Sequence, residues 1–269
     1  MRIDTVRVVA LGCVVASLVG CFDARRLKRL DEGLKPCVSQ ARSSTGADNA
    51  CQTSVAKIAQ ESLAAARETR GDPAMTVSFY RVAAVASVEA GPLGSSTLPQ
   101  AADEGAAACD RLPQKDASAP RDCSLIRLAL PLGVGRELAA QTQEFIAKRD
   151  RNGSGAGTAG RGTLPASDSR AVRNLFDGFE VQTQKVCDVA STMPRPLLPP
   201  KFVQNVAGIQ RSFYCWTSKT YSLVFDVDGE SDVTTTTLAQ RKQALRQLVE
   251  GQVGPIDCRT VPSDVPVPQ

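Results

Sequence analysis

The sequence predicts an all-α protein built of helical hairpins in two halves and pinned by disulfides. Three observations lead there. Aromatics are only 4% of the chain, so Ala, Val and Leu supply most of the core, and small side chains favour closely packed helices. Apolar residues recur at three- and four-residue spacing along most of the chain. The breaks between these stretches carry the Pro, Gly and cap residues with which helices begin and end.

Residues 50–69 are rich in helix formers and place Val55, Ile58, Leu63 and Ala66 on one side. Gly71-Asp72-Pro73 breaks the chain, with Asp72 as N-cap and Pro73 at the first helical position. The next helix runs to about Ala90, with Val77, Tyr80, Ala84 and Val88 on a face and Gly91-Pro92 ending it. An Ala-rich helix follows over 98–112. Asp122 is read as the cap of a fourth helix reaching about Arg149, which Pro131 and Gly133 should kink. The second half opens near Ser167 or Asp168 and continues through Val172, Leu175, Phe176, Phe179 and Val186 to about Thr192. Residues 193–200 form a stiff proline-rich turn. A long helix starts at Lys201 with Val206, Ile209, Phe213 and Trp216 at helical spacing. Residues 221–227 fit a strand as well as a helix. Helix is favoured because Leu238, Leu245, Leu248 and Val249 form another helix soon after.

The organisation that follows is a leader over residues 1–20, a basic tether over 21–36, a helical half over 37–150, a Gly/Ser linker over 151–167, a second half over 168–258 and a disordered tail over 259–269. Helix pairs with small residues at their contacts resemble a tetratricopeptide array by analogy, although no fixed 34-residue repeat aligns.

The leader is a positive stretch with Arg2 and Arg7, then 12 residues from Val8 to Val19 that are mostly apolar. That run is too short to span a bilayer, which takes roughly 20 residues, and reads as an export signal. Its end, Leu18-Val19-Gly20-Cys21, resembles the lipobox of bacterial lipoproteins. The resemblance covers the first 21 residues only. It implies cleavage before Cys21, acylation of that cysteine, and hence membrane lipid as a partner. Phe22 follows, and the absence of aspartate at that place implies outer-membrane sorting, with the body facing the periplasm. Arg25, Arg26, Lys28 and Arg29 fit either attraction to anionic headgroups or a solvated tether or exposed helix face.

Removal of residues 1–20, with two Arg and one Asp, takes the net charge from +4 to +3. So small a charge argues neither for nor against nucleic acid, and no such partner is expected. Beyond Cys13 in the leader and Cys21, seven cysteines remain, and export makes disulfides the expected state. Cys37 and Cys51 are 14 apart, as are Cys109 and Cys123, each pair flanking a loop-like stretch. Each is expected to close a helix–loop–helix corner, contributing about 3 kcal/mol on the chain-entropy argument. For the other three, Cys187 is expected to pair with Cys258, leaving Cys215 a buried thiol. With no histidine and no Cys-x-x-Cys, no zinc site is expected.

The absence of histidine also removes every Ser-His, Cys-His and His-metal mechanism. Ser54-Val-Ala-Lys57 matches the Ser-x-x-Lys of penicillin-binding enzymes, but the companion Ser-Asp-Asn and Lys-Thr-Gly are missing, so it is taken as chance. Gly155, Gly157 and Gly160 spell a dinucleotide-type motif, yet a helix precedes it where a strand is needed. Asp226, Asp228, Glu230 and Asp232 alternate around Gly229 like the middle of a calcium loop. The outer ligand positions would fall on Val224 and Thr235, so an acidic turn without metal is expected. No cofactor and no enzymatic activity are expected.

Six of the chain's aromatics lie between Phe202 and Phe225. Phe213 and Trp216 fall on the expected core face. Tyr214, Tyr221 and Phe225 fall on another, and with Trp216 they mark a possible surface for a partner or an apolar ligand. The functional expectation is a non-catalytic envelope adaptor or assembly factor that binds an envelope protein on a helical surface. The alternative is a carrier of an apolar or glycan ligand held between the halves.

Overall fold

A computed structural model describes residues 22–36, 49–69, 72–112, 119–153, 166–228 and 233–259. Among the described residues there are eight α-helices and no strand, so the fold is all-α as expected. The helices are α1 (residues 22–36), α2 (Asn49–Glu68), α3 (Pro73–Glu89), α4 (Leu98–Asp110), α5 (Ala119–Gly153), α6 (Ala166–Thr192), α7 (Pro200–Asp228) and α8 (Val233–Val253). Short 3₁₀ turns at Gly91–Gly94 and Arg195–Leu197 follow α3 and precede α7. Lengths range from 13 residues in α4 to 35 in α5.

The chain forms two compact units that divide between Ala129 and Leu130, inside α5. The expected boundary lay some twenty residues later, at the Gly/Ser stretch. The shift has a packing cause. Beyond Leu130, α5 serves the second unit: Leu138 lies against Gly178 of α6, and Phe213 of α7 lies against Gly135. The helix continues through Pro131 and ends at Gly153; the rest of the expected linker up to 165 is outside the described residues.

In unit 1, α3 is the central helix. Its Val77, Phe79, Tyr80, Val82, Ala83, Ala84, Ala86, Ser87 and Val88 are buried, so it is covered on nearly every side. The helix starts as its sequence demands, with the Asp72 carboxylate accepting from the Met75 N–H and Pro73 in the first turn. It ends at Ala90, and Gly91 turns the chain with φ +58°. Packed on it are α2 and α4, with the first turns of α5 tied to α4 by the Cys109–Cys123 disulfide. Asp122 is not a cap. It lies inside the first turn of α5, where its carboxylate accepts from Ser78 Oγ at 2.9 Å and pairs with Arg81 at 3.2 Å.

The stretch expected as a tether is α1. Leu30 and Leu34 are 2% and 5% exposed, and Arg26 and Arg29 pair with Glu68 and Glu61 of α2. Leu27, Leu30 and Leu34 carry the helical spacing in the sequence; the neighbouring charge run hides it.

In unit 2, α7 is the central helix, packed against α6 and α8. Phe202, Val206, Ile209, Phe213, Trp216, Leu223 and Val224 are buried along it. The stretch that fitted a strand is its last turns, since the helix persists to Asp228. Trp216 stacks on Phe179 of α6 at 5.8 Å between centroids, and Phe213 meets Phe179 edge-on at 6.5 Å. In α8, Leu238, Leu245 and Val249 face this core, whereas Leu248 is exposed.

Candidate functional site

Two of the four aromatics expected to mark a surface on α7 are interior. Tyr214 is 5% exposed and Trp216 is 1%. Tyr214 packs in a cluster with Cys187, Cys215, Leu245 and Val249, so α6 and α8 both contribute to its cover. Tyr221 is half-buried, 6.2 Å from the Phe176 ring, with Lys242 Nζ 3.9 Å from its own ring centre. That ammonium is held below the usual lysine range, first by burial and then by Arg246. The backbone of Phe225 belongs to α7; its side chain lies outside the described residues. Tyr214 therefore packs inside unit 2, and Tyr221 is partly covered by Phe176 and Lys242. The cause is α8, which lies over the face that helical spacing on α7 alone leaves open.

The cysteines correct a second expectation. Cys258 pairs with Cys215 across 43 residues, and Cys187 is the buried thiol. After α8 ends at Val253, the chain lies along α7: the Arg211 guanidinium donates to the Val253 carbonyl, and Asp257 O lies 4.0 Å from Cys215 Sγ. This return path brings Cys258 to α7. Cys187 instead lies on α6, with Gln210 Nε2 3.5 Å from its Sγ. Burial pushes its thiol up, so it is a poor nucleophile at neutral pH. The Cys109–Cys123 pair is as expected. Cys51 is half of a disulfide, while Cys37 lies outside the described residues.

Polar groups inside unit 2 line the α6–α7 contact. Thr183 and Thr217 hydroxyls lie 3.2 Å apart, and each also donates to a carbonyl one turn back. Gln210 donates to Gln252 of α8. Gln182 Oε1 and Trp216 Nε1 are buried without a hydrogen-bond partner among the described residues. At the α6–α8 contact, Arg241 forks onto Asp177 and Glu180.

Unit 1 holds two clusters of ionisable groups. Tyr80 Oη donates to Glu104 Oε2 at 3.0 Å, and Arg67 donates to Glu104 and to the side-chain Oε1 of Gln100, joining α2, α3 and α4. Burial, then the Glu104 hydrogen bond, pushes the Tyr80 phenol up to about 12. The Arg67 hydrogen bond holds the Glu104 carboxyl below its ordinary value. The second cluster centres on Arg81, 2.9 Å from Asp31 of α1 and 3.2 Å from Asp122 of α5. Both clusters join helices to one another.

Ser54 and Lys57 are exposed on α2. The glycine motif over 155–160, Cys21, the side chains of Asp226 and Asp228, and all of Glu230 and Asp232 lie outside the described residues. Among the described residues, no three Cys, Asp or Glu side chains are placed to hold a metal ion, and no helix is long and apolar enough to cross a membrane. No family model matches the chain, and neither curated proteins nor solved structures yield a significant match.

Proposed function

We propose that this chain is an outer-membrane-anchored periplasmic lipoprotein that acts as a non-catalytic envelope adaptor or assembly factor, held to lipid through acylated Cys21 and binding a protein partner on its helical surface. The observation that carries the compartment is the pairing of cysteines in both units, Cys109 with Cys123 and Cys215 with Cys258, since disulfides persist in oxidising compartments. The lipobox-like Leu18-Val19-Gly20-Cys21 supports the anchor. Two observations favour an adaptor over an enzyme or a carrier. The ion-paired groups of unit 1 and the Arg241 fork bridge helices, and Tyr214 and Trp216, which a carrier would need in its pocket, are buried in packing.

Crosslinking in intact envelopes, with Cys21→Ser as the unanchored control, tests the reading. One stoichiometric protein partner, weakened in the control, is the expected result. A co-purifying lipid or glycan without a protein would replace the adaptor by the carrier.

A further inference from the structure

Resting on the anchored-lipoprotein reading, we propose that α1 is a docked spacer that seats unit 1 on the lipid surface, with the start of α1, the end of α2 and the start of α3 meeting the headgroups.

Phe22, next to Cys21 in the chain, is already helical, and the helix continues to residue 36. Its inner face is fixed to unit 1 by Leu30 and Leu34 and by the approach of Gly33 to Ile58 of α2. Three ion pairs fix its register: Arg26 with Glu68 at 2.8 Å, Arg29 with Glu61, and Asp31 with Arg81 at 2.9 Å. Moving up α1 from 26 to 29 moves back along α2 from 68 to 61, so the two helices run antiparallel. The start of α1 therefore lies beside the end of α2, close to where Asp72 caps α3.

The helical rise sets the standoff. From residue 22 to Leu30 is eight steps, or about 12 Å at 1.5 Å each. An acyl group on Cys21 thus has no flexible chain between it and the folded body. The basic run does not serve mainly as a headgroup patch, because Arg26 and Arg29 face carboxylates of α2. What α1 offers lipid is Phe22, 68% exposed, and the exposed Arg25, an aromatic and a cation suited to the boundary between headgroups and acyl chains.

Residues 25–29 hold four trypsin sites, so proteolysis separates a docked helix from a tether. The full-length protein, labelled metabolically with an alkyne fatty acid and kept in membrane vesicles, is digested with trypsin. The acyl label is expected to stay on a fragment of at least the size of unit 1. In Leu30→Asp/Leu34→Asp the label should pass at least tenfold faster to a peptide of a few residues. Glu61→Gln/Glu68→Gln keeps every cleavage site and the core, and should accelerate release roughly threefold, as expected for two exposed pairs. Hydrogen exchange, anchored against Cys21→Ser, should show added protection at the start of α1 and around the α2–α3 junction only. Absence of any acyl label would overturn the anchored reading itself. A labelled wild type that loses its label as fast as the Leu30/Leu34 variant, or shows no added protection, would overturn the docked spacer and leave the anchor standing.

Discussion

The two units each bury one helix on nearly every side, and they do so with different chemistry. In unit 1, α3 buries mostly Ala and Val, with Phe79 and Tyr80 beside them, and its ionisable ties lie in the Tyr80–Glu104–Arg67 and Arg81–Asp31–Asp122 clusters. In unit 2, α7 is lined by Phe202, Phe213, Tyr214 and Trp216 and carries its polar ties inside, at Gln210, Thr217 and Thr220. The disulfides follow the same division. Cys109–Cys123 spans 14 residues between helices adjacent in sequence, whereas Cys215–Cys258 spans 43 and holds the end of the described chain to the central helix. Small side chains let helices pack by backbone proximity. Large rings fill a wider gap, and hydroxyls and amides then set the register inside it. Unit 1 should therefore answer most to pH, and unit 2 to truncation and reduction.

The largest expected effect is Phe213→Ala. Its ring is fully buried, and Gly135 has no room for a Cβ beside it, so the surrounding backbone is already at its closest. A loss of about 3–5 kcal/mol is expected, the range for phenylalanine truncation in a core. Peptide-resolved hydrogen exchange should place the loss in α6, α7, α8 and α5 beyond Leu130. An equal loss in α3 would contradict the division into units.

Next come the disulfides. On the chain-entropy argument, removing the 43-residue closure costs about 4 kcal/mol and the 14-residue one about 3. Cys215→Ser/Cys258→Ser should thus lower the denaturant midpoint more than Cys109→Ser/Cys123→Ser. Under non-reducing conditions, mass mapping should find Cys187 as the free thiol, resistant to alkylation until unfolding because burial keeps it protonated. A Cys187–Cys258 peptide would restore the pairing that spacing alone suggests.

The polar edge of unit 1 makes a smaller, pH-resolved prediction. The Tyr80 phenol is raised in the folded state, so its contribution is complete below its unfolded value of 10.0 and falls away as pH rises toward about 12. The Glu104 carboxyl is lowered, so its contribution is present above its ordinary value of 4.5 and is lost as pH falls through the folded value. Tyr80→Phe should cost about 1.5–3 kcal/mol at neutral pH, as for a hydrogen bond to a charged group, and should flatten the alkaline limb of the stability profile. An unchanged alkaline limb would mean that another group carries it.

The helices were legible because caps, prolines and apolar spacing are local: Asp72-Pro73, Gly91-Pro92 and the 193–200 turn mark ends that the structure keeps. What was not legible depends on a third element. Tyr214 reads as outward until α8 lies over it. Cys215 reads as a core thiol until the chain after Val253 returns along α7. The basic run reads as a tether until Glu61 and Glu68 of α2 stand opposite it. The division inside α5 was hidden because the helix does not break there; only its packing partners change. Leu27, Leu30 and Leu34 are a local signal for α1 that the basic run masks.

The smallest effect sharpens the comparison most. Thr183 and Thr217 meet hydroxyl to hydroxyl at 3.2 Å, and each also lies within donating reach of a carbonyl of its own helix; with one proton per hydroxyl, whichever threonine donates across the contact gives up its own carbonyl. Thr217→Val keeps the shape and removes that hydroxyl, at an expected cost of about 1 kcal/mol. The double variant with Thr183→Val should cost little more than either single one, because valine at both places leaves no polar atom stranded. A double-mutant cycle with additive losses would show that the hydroxyls act separately, each through its own helix. The Thr183–Thr217 contact would then be local to each helix, and the ring contacts of Phe179 with Trp216 and Phe213 would carry more of the α6–α7 register.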